Sequence, residues 1–264
     1  MKFLIKCFLT VGVLFLFNLH NLNASTSAKM IFFYPGEAGS TEDAAPILEL
    51  FFEYLGSKIS PFKISGKYFN ERTTGIAYIK KDKPTIGIVS YPEMAQNSEL
   101  YKNADILLLT RPWPDASEFV KYEMVAAKTP PPSEIISSEP MSVEFIKKNL
   151  FDNIPAASIV RTDRRMFFSL KKMASDELEV AAILTPAESY SLSKLSPDWA
   201  KNLIKIASSK PMPSAKLVLF SKWEGTEKLK KALLAMPDDP EGREILNELR
   251  LIGFSQPCAK GDRP

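Results

Sequence analysis

An α/β protein built in two lobes is what this sequence predicts, and three observations carry the prediction. Strand-like and helix-like segments alternate from Met30 to Thr110, the pattern of a sheet with parallel neighbours. Two proline-rich breaks, Arg111-Pro112-Trp113-Pro114 and Pro211-Met212-Pro213, each follow a strand-like run and bracket a second alternating unit. The chain has 264 residues, enough for two lobes of about 100–120 residues each.

The elements follow in order. Met30 to Tyr34 reads as a buried first strand. Thr41 to Ile59 is the clearest helix, with Ala44, Leu48, Phe51, Phe52, Leu55 and Ile59 at helical spacing. Ser40 or Thr41 caps it, Glu42 and Asp43 suit its positive end, and Ser60-Pro61 stops it. Phe62 to Phe69 is a second strand and Glu71 to Lys81 a short helix weakened by Thr73, Thr74 and Gly75. Thr85 to Val89 is a strand, and Pro92 suits the first turn of a helix running to about Tyr101. Ala104 to Thr110 is the next strand.

Past the first break, Phe119 to Ala127 reads as one strand of mixed polarity, and Thr129-Pro130-Pro131-Pro132 as a loop. Ile135 to Ser138 is a strand and Met141 to Leu150 a helix. Ala157 to Arg161 is a strand, and Asp163 to Ala174 a helix with Met166, Phe167, Leu170 and Met173 on one face. Val180 to Leu184 is a strand, Pro186 to Leu195 a helix, and Asn202 to Ala207 a strand. After the second break come a strand, Lys216 to Phe220, and two helices, Glu227 to Ala235 and Gly242 to Leu249. The breaks place lobe 1 at residues 25–111 and 213–264, and lobe 2, inserted, at 112–212. Two crossing segments join them, so a cleft lies between, with hinge closure as its natural motion.

The first 24 residues read as a secretory signal peptide: Lys2 and Lys6, then an apolar run from Cys7 to Leu19, then Leu22-Asn23-Ala24 as a cleavage site. An uncleaved anchor is the alternative, although the apolar run is short for a membrane span. Without Lys2 and Lys6 the balance is 32 basic against 31 acidic residues, a net charge of +1, and no nucleic-acid partner is expected. Cys258, in a polar tail beyond Phe254, is the one cysteine of the exported chain and reads as a free thiol. The single histidine, His20, lies in the leader. That excludes Ser-His-Asp and Cys-His catalysis and histidine zinc sites. No CxxC pair, phosphate loop or dinucleotide fingerprint occurs. Asp238, Asp239 and Glu241 sit in a proline-flanked turn and read as solvated charge. Neither a metal nor a cofactor nor an enzymatic activity is expected.

Three stretches, TIGIVSYPEM, KYEMVAAK and MPDDPEGREILNELRLIGF, resemble the periplasmic substrate-binding proteins of ABC transporters for phosphate, phosphite and phosphonate. The resemblance spans roughly Met30 to Phe254 and implies the two-lobed type II periplasmic binding protein fold. It also implies capture of a small oxyanion in the cleft without catalysis, delivery to an ABC permease in the inner membrane, and a monomer in the periplasm. A ligand-sensing domain of the same fold, serving a receptor, is the alternative. The family brings a serine to the cleft after the third strand, here Ser90. Phosphonate binders of the family often carry acidic residues for a ligand amine. This chain has Val160-Arg161-Thr162-Asp163 where they carry a serine- and histidine-bearing stretch, and Thr185-Pro186, with Glu188 one turn on, where an acidic residue is common.

The residues themselves offer hydroxyls at four junctions where a strand passes to a helix: Ser40 and Thr41, Ser90 and Tyr91, Thr162, and Thr185. Helix N-termini and hydroxyls hold an oxyanion without histidine or metal. Each hydroxyl has a second reading as a plain helix cap. Tyr34 either walls the cleft or packs on the core. Arg161, Arg164 and Arg165 offer a bidentate clamp or form a solvated face. Glu37, Glu42 and Asp43 crowd the start of the first helix, where they occupy its N–H groups or repel an anion.

Overall fold

The computed structural model describes residues 26–37, 40–152, 154 and 159–257; the expected leader, Gly39 and Cys258 lie outside them. The chain opens with β1 (Ser27–Phe33), α1 (Thr41–Ile59), β2 (Lys63–Phe69), α2 (Arg72–Asp82) and β3 (Ile86–Val89). Two short helices, α3 (Tyr91–Gln96) and α4 (Ser98–Tyr101), then lead to β4 (Asp105–Pro112). These strands enter a six-stranded sheet in the order β13-β4-β12-β3-β1-β2, completed by β12 (Lys216–Leu219) and β13 (Leu251–Ser255) from the end of the chain. β1 runs parallel to β2 and β3, and β12 is inserted antiparallel between β3 and β4.

The second sheet repeats that plan. It is built from β6 (Glu123–Ala126), β7 (Glu134–Ser137), β8 (Ile159–Thr162), β9 (Ala181–Leu184) and β10 (Ile204–Ser208), in the order β10-β6-β9-β7-β8. β7 is parallel to β8 and β9, and β6 is antiparallel between β9 and β10. A two-stranded ribbon joins the sheets, β5 (Phe119–Val120) pairing antiparallel with β11 (Met212–Pro213). Beside it the Ser214 hydroxyl donates to the Thr110 carbonyl at 2.5 Å, and the Thr110 hydroxyl donates to Ala215 at 3.0 Å.

The central strands of both sheets are covered on both faces, which explains their nearly continuous apolar runs, as in β3 and β9. In β1, Met30 and Phe32 face a core made with α1, α8 (Thr226–Ala235) and α9 (Pro240–Glu248), while Ile31 and Phe33 face the opposite core. In the second sheet, Ile135 and Ile183 face one side, with α5 (Val143–Phe145) and the π turn Ile146–Leu150. Ile136 and Leu184 face the other, with α6 (Met166–Ala174). The helix α7 (Pro186–Leu195) follows β9 directly.

Several elements differ from the sequence reading. The expected strand from Phe119 to Ala127 is two strands, β5 in the ribbon and β6 in the second sheet. Tyr122 separates them, exchanging hydrogen bonds with Ser209 on the other crossing segment: its N–H donates to the Ser209 hydroxyl at 2.9 Å and its carbonyl accepts from the Ser209 N–H at 2.8 Å. The helix expected from Pro92 to Tyr101 is interrupted at Asn97. The helix expected from Met141 to Leu150 has one α turn before it widens into the π turn. Strand β13 was not expected; it pairs with β4 at the sheet edge.

Candidate functional site

Because β1 and β3 in one sheet, and β7 and β9 in the other, run parallel within their sheets, their carboxyl ends emerge together. Ligands of open α/β sheets bind beyond such ends. The first lobe contributes Tyr34-Pro35-Gly36-Glu37 after β1 and Ser90-Tyr91 after β3. The second contributes Ser138-Glu139 after β7 and Thr185 after β9.

These ends meet. Gly36 has φ 93°, and a Cβ built on it would lie 2.2 Å from the Ser138 carbonyl oxygen and 2.6 Å from the Glu139 Cα. Only glycine tolerates both that backbone and that approach. Nearby, Arg72 Nη2 donates to the Pro140 carbonyl at 2.7 Å, and Gln96 Nε2 donates to the same oxygen at 3.1 Å. Gln96 Oε1 accepts from the Ser142 N–H at 2.8 Å. Arg164 of the second lobe pairs with Glu71 of the first. Trp113 packs edge-on against Tyr190 with centroids 4.5 Å apart.

The seam is acidic. Glu139 is 7% exposed, and its Oε2 accepts from the Tyr122 hydroxyl at 2.9 Å. Burial, reinforced by Glu37 and Glu188, pushes its carboxyl up to about 8, against the pull of the Tyr122 hydrogen bond and of Arg72. Glu188 is also raised by burial, although hydrogen bonds from Thr185 and Ser138 restrain it. Burial raises the Tyr34 phenol, with Glu37 and then Tyr68 adding to the effect. Burial likewise raises Tyr122, with Glu139 next. Nothing in the sequence singled out Glu139. Its charge lies in a stretch, Ser137-Ser138-Glu139-Pro140, that reads as an ordinary strand end, and its burial depends on segments far along the chain, Gly36 against its backbone and Tyr122 on its carboxyl. Among the described residues, no group of three His, Cys, Asp or Glu side chains is placed to hold a metal ion.

The expected site residues fall into two sets. Ser40 and Thr185 each form a capping box, with Asp43 and Glu188 respectively. The Ser40 hydroxyl accepts from the Asp43 N–H at 3.1 Å while Asp43 accepts from the Ser40 N–H at 2.8 Å. Thr41 donates its hydroxyl to the Tyr68 carbonyl at 2.9 Å. The Ser40 and Thr185 hydroxyls cap their own helices, and the Thr41 hydroxyl ties α1 to the end of β2. Ser90 is 6% exposed and caps α3 without a side-chain hydrogen bond. Tyr91 packs on the second lobe's core, with Lys216 Nζ 5.0 Å above its ring. Tyr34 is half-buried against the first core, and Thr162 is exposed at the end of β8. The arginines do not converge: Arg161 pairs with Glu134 at 3.0 Å, Arg164 with Glu71, and Arg165 lies 5.6 Å over the Phe168 ring.

No protein-family model matches this sequence, and no curated protein matches it. Solved structures do. A binding protein component of an ABC phosphonate transporter from Pseudomonas aeruginosa is 13% identical, with 88% of this chain and 81% of that one covered and a TM-score of 0.64. A Xanthomonas citri protein bound to ATP is 11% identical, with 89% and 92% covered and a TM-score of 0.67. A Prochlorococcus marinus protein in complex with methylphosphonate is 12% identical, with 89% and 94% covered and a TM-score of 0.62. At such identity the likeness establishes the fold. This chain has the two-lobed type II fold of periplasmic binding proteins, and the range of bound molecules among its neighbours shows that the fold does not choose the ligand.

Proposed function

We propose that this chain is an exported solute-binding protein, without catalytic activity, that takes a small oxyanion between its lobes and presents it to an ABC permease in the inner membrane. One observation carries the reading: the carboxyl ends of β1 and β7, one from each sheet, meet where Gly36 abuts Ser138 and Glu139, with the β3 end bonded to the β1 end through the Ser90 N–H and the β9 end held to the β7 end through Glu188 and Ser138. We assign residues 25–111 and 213–264 to lobe 1 and 112–212 to lobe 2.

The chemistry of the seam narrows the solute. Ser90 offers a hydroxyl that its own helix does not use, with Tyr34, Tyr91 and Thr162 beside the strand ends. Against them stand Glu37, Glu139 and Glu188; burial first, and then the charges of Glu37 and Glu188, raise the Glu139 carboxyl. A bare phosphate dianion adds negative charge beside carboxyls whose ionised form burial already disfavours, whereas an oxyanion with an ammonium group favours that ionised form and pairs with it. The reading is therefore a zwitterionic solute, an aminoalkylphosphonate or a compact amino acid.

Calorimetry of residues 25–264 against phosphate, phosphite, methylphosphonate, 2-aminoethylphosphonate, sulfate and a panel of amino acids tests it. Saturable binding of an ammonium-bearing oxyanion, at micromolar affinity or tighter, is expected. Tighter binding of phosphate than of 2-aminoethylphosphonate refutes the zwitterion, and no binding by any of these solutes refutes the assignment.

A further inference from the structure

The seam is held by more than shape. Arg72 and Gln96, from α2 and α3 of the first lobe, converge on one short segment of the second, Pro140 to Ser142, which directly follows Glu139. Arg72 reaches the Pro140 carbonyl at 2.7 Å. Gln96 closes a two-sided grip, donating to Pro140 at 3.1 Å and accepting from the Ser142 N–H at 2.8 Å. All three bonds go to main-chain atoms, so they form only when the two lobes meet in one register.

Both arms are braced from within the first lobe. Arg72 Nε is fixed at 2.8 Å to Glu93. Glu93 is 1% exposed and also accepts from Asn97 at 2.8 Å and from Tyr101 at 3.5 Å. Gln96 Nε2 bonds its own helix as well, at the Pro92 carbonyl 3.0 Å away. Side chains braced in this way lose little further freedom when the lobes close, so more of each bond's free energy favours closure. On the other side, Ser142 is itself held as the cap of α5.

We infer that Arg72 and Gln96 are the clasp of this cleft: positioning residues that hold Pro140–Ser142 against α3 and so set the grip on the solute without touching it. The inference rests on the proposed binding role for its consequence on affinity, though not for the closure itself. A solute bound only by the closed form is bound more weakly in proportion to the closed population.

The test is inter-lobe energy transfer on residues 25–264 carrying E49C and K171C labels, one on an exposed position of each lobe, in a C258S background. Gln96→Leu removes both inter-lobe contacts of Gln96, along with its bond to Pro92, and keeps the side-chain bulk. It should shift the closed-to-open ratio toward open by about tenfold, the value of one to two hydrogen bonds, and weaken 2-aminoethylphosphonate by a similar factor. Gln96→Glu sets a carboxylate against the Pro140 carbonyl. It should open the protein further at neutral pH and regain closure, relative to the parent, on acidification. A purely local role for Gln96 in α3 lowers the thermal midpoint without that pH response. If both variants keep the parental distance distribution, the clasp is refuted. If they open the protein while neither 2-aminoethylphosphonate nor methylphosphonate closes the parent, the clasp stands and the solute reading fails.

Discussion

At the scale of single residues, burial and hydrogen bonding separate side chains that look alike in sequence. Ser40 and Ser90 both precede a helix, yet Ser40 is bound into a capping box and Ser90 caps without its side chain. Ser40→Ala is expected to cost about 1 kcal/mol of stability, measured as a lower urea midpoint. Ser90→Ala should leave that midpoint unchanged and weaken solute binding, measured by calorimetry. Glu139 makes the pH prediction. Its carboxyl is raised from 4.5 to about 8, so the folded protein holds a proton there that the unfolded chain releases. Its contribution to stability is then full at low pH and is lost as pH rises toward and through about 8. Glu139→Gln keeps an acceptor for Tyr122 and cannot titrate. The thermal midpoint of the parent should fall relative to that of Glu139→Gln between pH 5 and about 8, and parallel profiles would contradict the assignment.

At the scale of elements, periodicity together with its cap and proline stop located the longest helix. α1 runs from Thr41 to Ile59 as its spacing predicts, with Leu48, Phe51, Tyr54, Leu55 and Ile59 buried. The weakness read into α2 has a tertiary cause. A Cβ on Gly75 would lie 2.2 Å from the Phe33 ring, so glycine is there to let the helix press on β1. Gly75→Val is expected to cost about 1–3 kcal/mol, as overpacking does, seen as a lower midpoint with unchanged helix content. The elements that sequence misplaced are those whose neighbours lie far along the chain. β5 and β6 look like one strand because their residues are equally strand-prone; they part because each pairs with a different sheet. β13 has the length of a strand, but its reason for being one is β4, more than 130 residues earlier by the register Phe254 to Thr110.

At the scale of the molecule, the fold repeats one strand order in two sheets and closes them on each other at Gly36. Gly36→Ala places a methyl group against the Ser138 carbonyl and forces a backbone suited to glycine. The variant should stay folded, open the lobes in small-angle scattering, and bind 2-aminoethylphosphonate more weakly; an unchanged radius of gyration would contradict it. The sequence by itself determined the α/β class, the alternation of elements, the two proline-rich crossings and the exclusion of histidine chemistry, because apolar periodicity, proline and residue type act locally. The tertiary structure alone decided which hydroxyls are already committed to caps, that Glu139 is buried beside Glu37 and Glu188, and that Arg72 and Gln96 reach across to Pro140. Those depend on segments far apart in the chain meeting within a few ångströms, where burial sets the charge of a carboxyl and a main-chain carbonyl becomes a partner that no sequence pattern records.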